Sequence, residues 1–224
     1  LNRYYDSFRY NALSPMDEDD SMSLLLGEVL SGSGLKQLRL AETQKFKHVT
    51  SFFNGKMLKP YPGEDRIEIK GTFDPATFAS HPEMNAREVV AEAVRQVETG
   101  GYDFMAVNFA NCDMVGHTGS MPAAVKAVEV VDECLGRLVP AALGKGYYVL
   151  ITSDHGNAKE MWDEKIGLPK TSHTCNPVTF TLCAPAGDAV KLRESGVLSD
   201  IAPTVLELLG VPVPWEMSAR SLIA

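Results

Sequence analysis

The sequence predicts an α/β protein, a three-layer α/β/α sandwich. Three observations lead there. Short apolar runs such as Tyr147–Ile151 (YYVLI) and Tyr102–Ala110 (YDFMAVNFA) alternate with stretches of helical periodicity, the pattern of strands joined by crossover helices. The second run is apolar nearly throughout, as in a strand covered on both faces. Metal-ligand residue types sit just past the ends of these runs, foremost Asp154 and His155 after Ile151. A buried strand cannot carry such groups in its middle without losing their water, and open α/β sheets bind ligands at the carboxyl ends of their strands.

Each element has its own signal. Residues 1–23 are polar and aromatic with an acidic run, Asp17-Glu18-Asp19-Asp20, and read as a solvated arm. Met22–Leu30 has helical spacing and stops at Ser31-Gly32-Ser33-Gly34. Leu35–Leu40 (LKQLRL) predicts a strand of alternating exposure, and His48–Phe53 a helix ended by the Asn54-Gly55 turn. A short strand is expected at Arg66–Ile69. Asn85 with Glu88 forms a capping box for a helix running to about Glu98, before Gly100-Gly101. Met121–Leu143 predicts a long helix whose stripe Val125, Val128, Val131, Leu135 and Leu138 packs on the sheet. Asn176–Ala184 (NPVTFTLCA) reads as another strand. Ser199 is the expected cap of a helix over Asp200–Leu209, ended by Gly210.

Composition narrows the function. The chain has 224 residues, 45% hydrophobic and 22% charged, enough for a full core. Its formal charge is 21 − 29 = −8, which argues against nucleic acid or an anionic membrane as partner. No apolar run is long enough for a transmembrane helix, and no secretory leader is read at Leu1. Cys112, Cys134, Cys175 and Cys183 lack C-x-x-C spacing and read as reduced thiols of a cytoplasmic protein.

The chemistry concentrates at three segments. Asn111-Cys112-Asp113-Met114-Val115-Gly116-His117 follows one predicted strand, Asp154-His155 follows another, and His173 precedes a third. Asp113, His117, Asp154, His155 and His173 mix carboxylate and imidazole, a set that suits Mn²⁺, Zn²⁺ or Fe²⁺. Five ligands are too many for one catalytic ion with an open position and fit most of a two-metal site. Singly, each has a bland alternative: Asp154 as a turn residue, His155 as a satisfied surface histidine. Cys112 and Cys175 flank ligands, with packing as their default role.

Six segments together resemble the cofactor-independent phosphoglycerate mutases: AETQKFKHVTSFFNG (41–55), GEDRI (63–67), NCDMVGHTG (111–119), TSDHGNA (152–158), SHTCNPV (172–178) and SDIAPTVLELLGVP (199–212). The resemblance runs in order from Leu24 to the end of the chain. It implies an alkaline-phosphatase-like core holding two Mn²⁺, with Co²⁺, Mg²⁺ or Zn²⁺ as alternatives. The implied reaction interconverts 3-phosphoglycerate and 2-phosphoglycerate without 2,3-bisphosphoglycerate. A serine takes the phosphoryl group from one hydroxyl of the glycerate and returns it to the other. By motif, Asp113, His117 and His173 hold one metal, and Asp154 and His155 hold the second with an Asp and a Ser. Lys45 matches the lysine that contacts the transferring phosphoryl group; its sequence context alone reads as an exposed helix lysine.

No segment matches the family's nucleophilic serine with its companion Asp, or its substrate-binding domain. Residues 24–224 therefore read as the C-terminal part of a metal-binding phosphatase-like domain, expected to be inactive alone and to belong to a monomeric longer enzyme. Another metal-dependent phosphatase or phosphomutase of the same superfold, or a non-catalytic metal-binding domain, are the rival readings.

Overall fold

The computed structural model describes residues 22–224; the acidic run and nearly all of the predicted arm lie outside the described residues. Strand β1 (Gln37–Glu42) is the centre of a parallel three-stranded sheet, flanked by β2 (Glu64–Ile69) and β3 (Phe104–Asn108). One face of β1 directs Leu38 and Leu40 into a core shared with α3 (Ala86–Thr99) and α5 (Met121–Gly144). The other face carries Gln37 and Arg39. Gln37 Nε2 donates to the Gly27 carbonyl of α1 (Leu26–Gly32) at 2.8 Å. The Arg39 guanidinium lies 4.1 Å from the Phe53 ring and 5.1 Å from that of Phe104. All six β1 residues are buried, so the alternating exposure expected from LKQLRL does not occur. A central parallel strand has no wet face; its polar side chains find internal partners, and burial pushes Arg39 down to about 10.

A second ladder pairs β4 (Val149–Ile151) with β7 (Thr181–Cys183), antiparallel. Helix α6 (Ile201–Leu208) joins α1 in the opposite layer, over a cluster that includes Phe104 and Leu150. This is the α/β sandwich read from sequence: α3 and α5 on one side, α1 and α6 on the other. Among the described residues β3 and β4 share no ladder. Yet Met105 and Val107 pack on the same α3–α5 cluster as Val149, and the Tyr147 hydroxyl donates to the Tyr102 carbonyl at 2.5 Å. The sheet is thus split between two shared helical layers. No helix among the described residues is long and apolar enough to cross a membrane.

Five local readings are corrected. The buried stripe of α5 is Ala123, Ala127, Val130, Cys134 and Leu138, whereas Val125 and Val128 are about half exposed, at 51% and 49%. The helix expected over His48–Phe53 is α2, Thr43–Val49, with turns after it. Lys45 and Val49, spaced i and i+4, are its buried residues. Asn85 occupies the N-cap of α3, but its side chain makes no capping bond; its Oδ1 accepts from the Thr72 N–H at 3.0 Å. Asp200, not Ser199, occupies the N-cap of α6, and its side chain serves the turn before the helix. Its Oδ2 accepts from the Val197 N–H and Arg193 Nη2, both at 3.0 Å. The strand expected over 176–184 pairs only at Thr181–Cys183, and a short hairpin, β5 (Trp162–Asp163) with β6 (Leu168–Pro169), precedes His173.

Candidate metal centre

Leaving β3, the chain enters α4 (Asn111–Gly116), with Asp113 in its first turn and His117 at its C-cap. That i, i+4 spacing places both side chains on one helical face. His117 Nδ1 lies 2.6 Å from the Thr171 carbonyl. A carbonyl only accepts, so Nδ1–H is the donor there, and Nε2 is the nitrogen turned toward Asp113 and His173. His173 arrives from the segment after β6. An isolated bridge between Gly156 and Thr174 registers that segment against the loop after β4. A side chain at 156 would collide with the Thr174 hydroxyl, so the close approach requires glycine.

These segments meet at one point. Asp113 Oδ1 lies 3.1 Å from His117 Nε2 and 3.1 Å from His173 Nε2, and the two imidazole nitrogens are 3.0 Å apart. Tetrahedral bonds of about 2.0–2.1 Å set ligand atoms roughly 3.3 Å apart, so these spacings fit donors around one small cation. His155 joins the group: its ring stacks on His173 at 3.6 Å, and its Nε2 is 3.7 Å from Asp113 Oδ1 and 3.5 Å from Asp154 Oδ1. His155 Nδ1 is buried without a partner. Asp154 is the most open of the five, with its side chain 61% exposed. The oxygen and nitrogen donor set and its spacing therefore fit a divalent cation at Asp113, His117 and His173.

Lys45 occupies the other side of the same carboxylate. Its Nζ is 2.5 Å from Asp113 Oδ2, and it is buried rather than the exposed helix lysine its sequence context suggests. Burial by itself would raise the Asp113 carboxyl. Hydrogen bonds from Lys45 and Asn157, with the charges of Lys45 and His117, outweigh that and hold it at about 2. Asp113 thus stays ionised across the physiological range, one oxygen toward the imidazoles and the other on the lysine.

Sequence reasoning missed three contributors. Asn157, three residues beyond Asp154, donates to Asp113 Oδ1 at 2.8 Å. The Thr171 carbonyl that orients His117 is backbone and leaves no side-chain signal. His48, one turn after Lys45 on α2, is lowered by burial and then by the Lys45 charge, with Asp154 and Asp113 pulling the other way. Its position is legible once α2 is known to begin at Thr43. Cys112 and Cys175 stay outside the ligand group. Burial, and then Asp113, push the Cys112 thiol up, away from the thiolate a metal would need.

A doubly covered α/β sheet thus carries a carboxylate–imidazole cluster at its strand ends, the placement expected of a metal-binding phosphatase-like domain. The chain matches the metalloenzyme superfamily over residues 15–213 and belongs to it. Within that superfamily its resemblance to the 2,3-bisphosphoglycerate-independent phosphoglycerate mutases holds along the chain. It is 51% identical over 210 residues to that enzyme of Gloeobacter violaceus, covering 91% of this chain and 39% of the relative. It is 51% identical over 224 residues to mutase 1 of Methanosarcina acetivorans, covering 100% of this chain and 42% of the relative. The phosphoglycerate mutase of Leishmania mexicana, solved at low cobalt concentration, superposes with a TM-score of 0.82 at 33% identity, over 89% of this chain and 39% of that one. The chain thus spans about two-fifths of the length of these relatives.

Proposed function

We propose that this chain forms part of a phosphoglycerate mutase that interconverts 3-phosphoglycerate and 2-phosphoglycerate through a phosphoserine, with two divalent cations and no 2,3-bisphosphoglycerate. One observation carries the reading. Asp113 Oδ1, His117 Nε2 and His173 Nε2, from segments 56 to 60 residues apart, converge within 3.1 Å while Lys45 sits on the opposite carboxylate oxygen. Asp113, His117 and His173 would hold one Mn²⁺, and Asp154 with His155 a second; Co²⁺, Mg²⁺ and Zn²⁺ suit the same donors. When bound, such cations neutralise charge on phosphoryl oxygens and ease ionisation of an attacking hydroxyl.

The chain's own residues supply the rest. Asp113 remains an anion, the Thr171 carbonyl orients His117 with Nε2 toward the cluster, and Lys45 provides a positive charge for the equatorial oxygens of a transferring phosphoryl group. The remaining metal Asp, the nucleophilic serine and the substrate-binding domain are assigned to other parts of a longer chain. Residues 24–224 are then the C-terminal portion of its phosphatase-like domain. We assign the whole enzyme to the cytoplasm as a monomer; the four cysteines are free thiols.

Two measurements test this. Calorimetric titration with Mn²⁺ should show binding to the chain, weakened more than about 100-fold by His173→Ala, a loss beyond that of an outer-shell substitution. A coupled assay with 3-phosphoglycerate should show little or no turnover by the 224 residues and ordinary turnover by the longer enzyme. Robust turnover by the chain alone would overturn the assignment of the nucleophile to another segment.

A further inference from the structure

We propose that Asn157 is a positioning residue of the metal centre: its amide fixes the Asp113 carboxylate and locks the loop after β4 onto α4. The ligands borne by two separate strand ends then meet a cation as one rigid set. This rests on the metal-centre reading above and assigns a role to a residue that is not itself a ligand.

Asn157 is 6% exposed. Its Nδ2 donates to Asp113 Oδ1 at 2.8 Å and to the Asp113 backbone carbonyl at 3.3 Å. Chemistry fixes the orientation of the amide, since the reverse would set its oxygen against a carboxylate. The amide oxygen is left buried without a partner, a cost the fold accepts to keep the donor on Asp113. That oxygen lies against Gly116, where any Cβ would collide with it. Gly116 is the last residue of α4 and does not have a positive φ. Glycine is therefore needed there for space and not for backbone freedom.

The lock joins both halves of the ligand set. Asp113 and His117 ride on α4, beyond β3. Asp154 and His155 precede Asn157 in the loop after β4, and the Gly156–Thr174 bridge ties that loop to the segment bearing His173. Among the described residues no ladder joins β3 to β4, so these two strands do not set this distance by hydrogen-bonding to each other. The Asn157 bond does so at the site itself. Without it Asp113 keeps Lys45 on Oδ2, while Oδ1 loses the donor that holds it toward the imidazoles.

The test is a cycle of four proteins: parent, Asn157→Ala, Gly116→Ala and the double variant. Mn²⁺ dissociation constants come from calorimetry, the Co²⁺ absorption spectrum reports coordination, and circular dichroism in chelator reports folding. Asn157→Ala and Gly116→Ala should each weaken Mn²⁺ about 10- to 100-fold, the range for residues that orient metal ligands, and alter the Co²⁺ bands. The double variant should bind no worse than Asn157→Ala, because the alanine at 116 then has nothing to displace. If Asn157→Ala does not fold, Gly116→Ala decides, since it keeps Asn157 and removes only its space. A folded Asn157→Ala with a dissociation constant within about twofold of the parent, or losses that multiply in the double variant, overturns this inference alone. A parent that binds neither ion overturns the metal-centre reading and this inference with it.

Discussion

Replacing Lys45 with Met removes an ammonium from a buried carboxylate while keeping most of the side-chain volume. The pair is 2.5 Å apart, with side chains 8% and 14% exposed, so solvent screens it little. Its worth can be worked from Asp113, whose carboxyl moves from 3.8 to about 2 on folding. That difference corresponds to about 2.4 kcal/mol at neutral pH. Lys45 is the leading stabilising cause, ahead of Asn157, so most of it should vanish in Lys45→Met, a loss of about 2 kcal/mol. A carboxyl depressed in the folded state contributes stability above its unfolded value and loses it as pH falls through the folded one. The gap between parent and variant should therefore be fully open at pH 7 and close as pH drops from about 4 to about 2. Urea unfolding in chelator, at several pH values, measures it. A second expectation separates charge from packing: adding Mn²⁺ should stabilise the variant at least as much as the parent, because the cation supplies the missing counter-charge. A variant within about 0.5 kcal/mol of the parent at pH 7, the scatter of an ordinary surface substitution, refutes the reasoning.

Two further perturbations probe the frame around the site. Glu42, at the end of β1, is fully buried, and burial raises its carboxyl to about 7, only partly offset by the Asn85 N–H. A carboxyl raised on folding costs stability as pH climbs from its unfolded value through the folded one. Glu42→Gln should therefore match the parent below about pH 4.5 and exceed it by up to about 3 kcal/mol by pH 8; superimposable pH–stability profiles would count against it. On α5, Val125→Lys should shift stability by less than about 0.5 kcal/mol. Ala127→Lys, at a position with 0% exposure, should cost several kcal/mol or prevent folding. Thermal melts of the two variants compare them directly, and equal tolerance would contradict the observed orientation of the helix.

The parts of the fold legible in the sequence are those that local pattern controls. The runs around Phe104–Asn108 and Val149–Ile151 are apolar because helices cover both faces, and their ends show where polar groups become affordable. That made Asp113, His117, Asp154, His155 and His173 visible as a group. What pattern did not reveal depends on neighbours distant in the chain. Valine looks more core-like than alanine, so periodicity places Val125 and Val128 on the α5 stripe with Val131, Leu135 and Leu138, of which Leu138 is buried. Ala123 and Ala127 are buried instead, against Phe78, Met84, Ala110 and Val115 from elements distant in the chain, while Val130, Cys134 and Leu138 further along α5 face α3. Gln37 and Arg39 read as the wet face of β1 because their partners, Gly27 and the Phe53 and Phe104 rings, come from other elements. Lys45 reads as solvated until Asp113 is set beside it, and Asn157 has no signature apart from the space left by Gly116.

The split sheet and the ligand cluster have a joint consequence. Asp113 and His117 belong to the half containing β1, β2 and β3; His155 and His173 flank the half containing β4 and β7. Between the halves lie helical packing, the Tyr147–Tyr102 hydrogen bond at 2.5 Å and the Asn157 lock, but no ladder among the described residues. A cation held by residues of both halves binds only when they are in register, so its binding free energy opposes every opening that separates them. At 100 times the dissociation constant this amounts to about 2.7 kcal/mol, or roughly 100-fold slower opening-limited exchange. Amide hydrogen exchange with and without Mn²⁺ should therefore show new protection along β4 and β7, well beyond the ligand loops. Protection confined to the residues next to the ligands would mean that the halves are already joined rigidly, and that the centre adds nothing to the cohesion of the sheet.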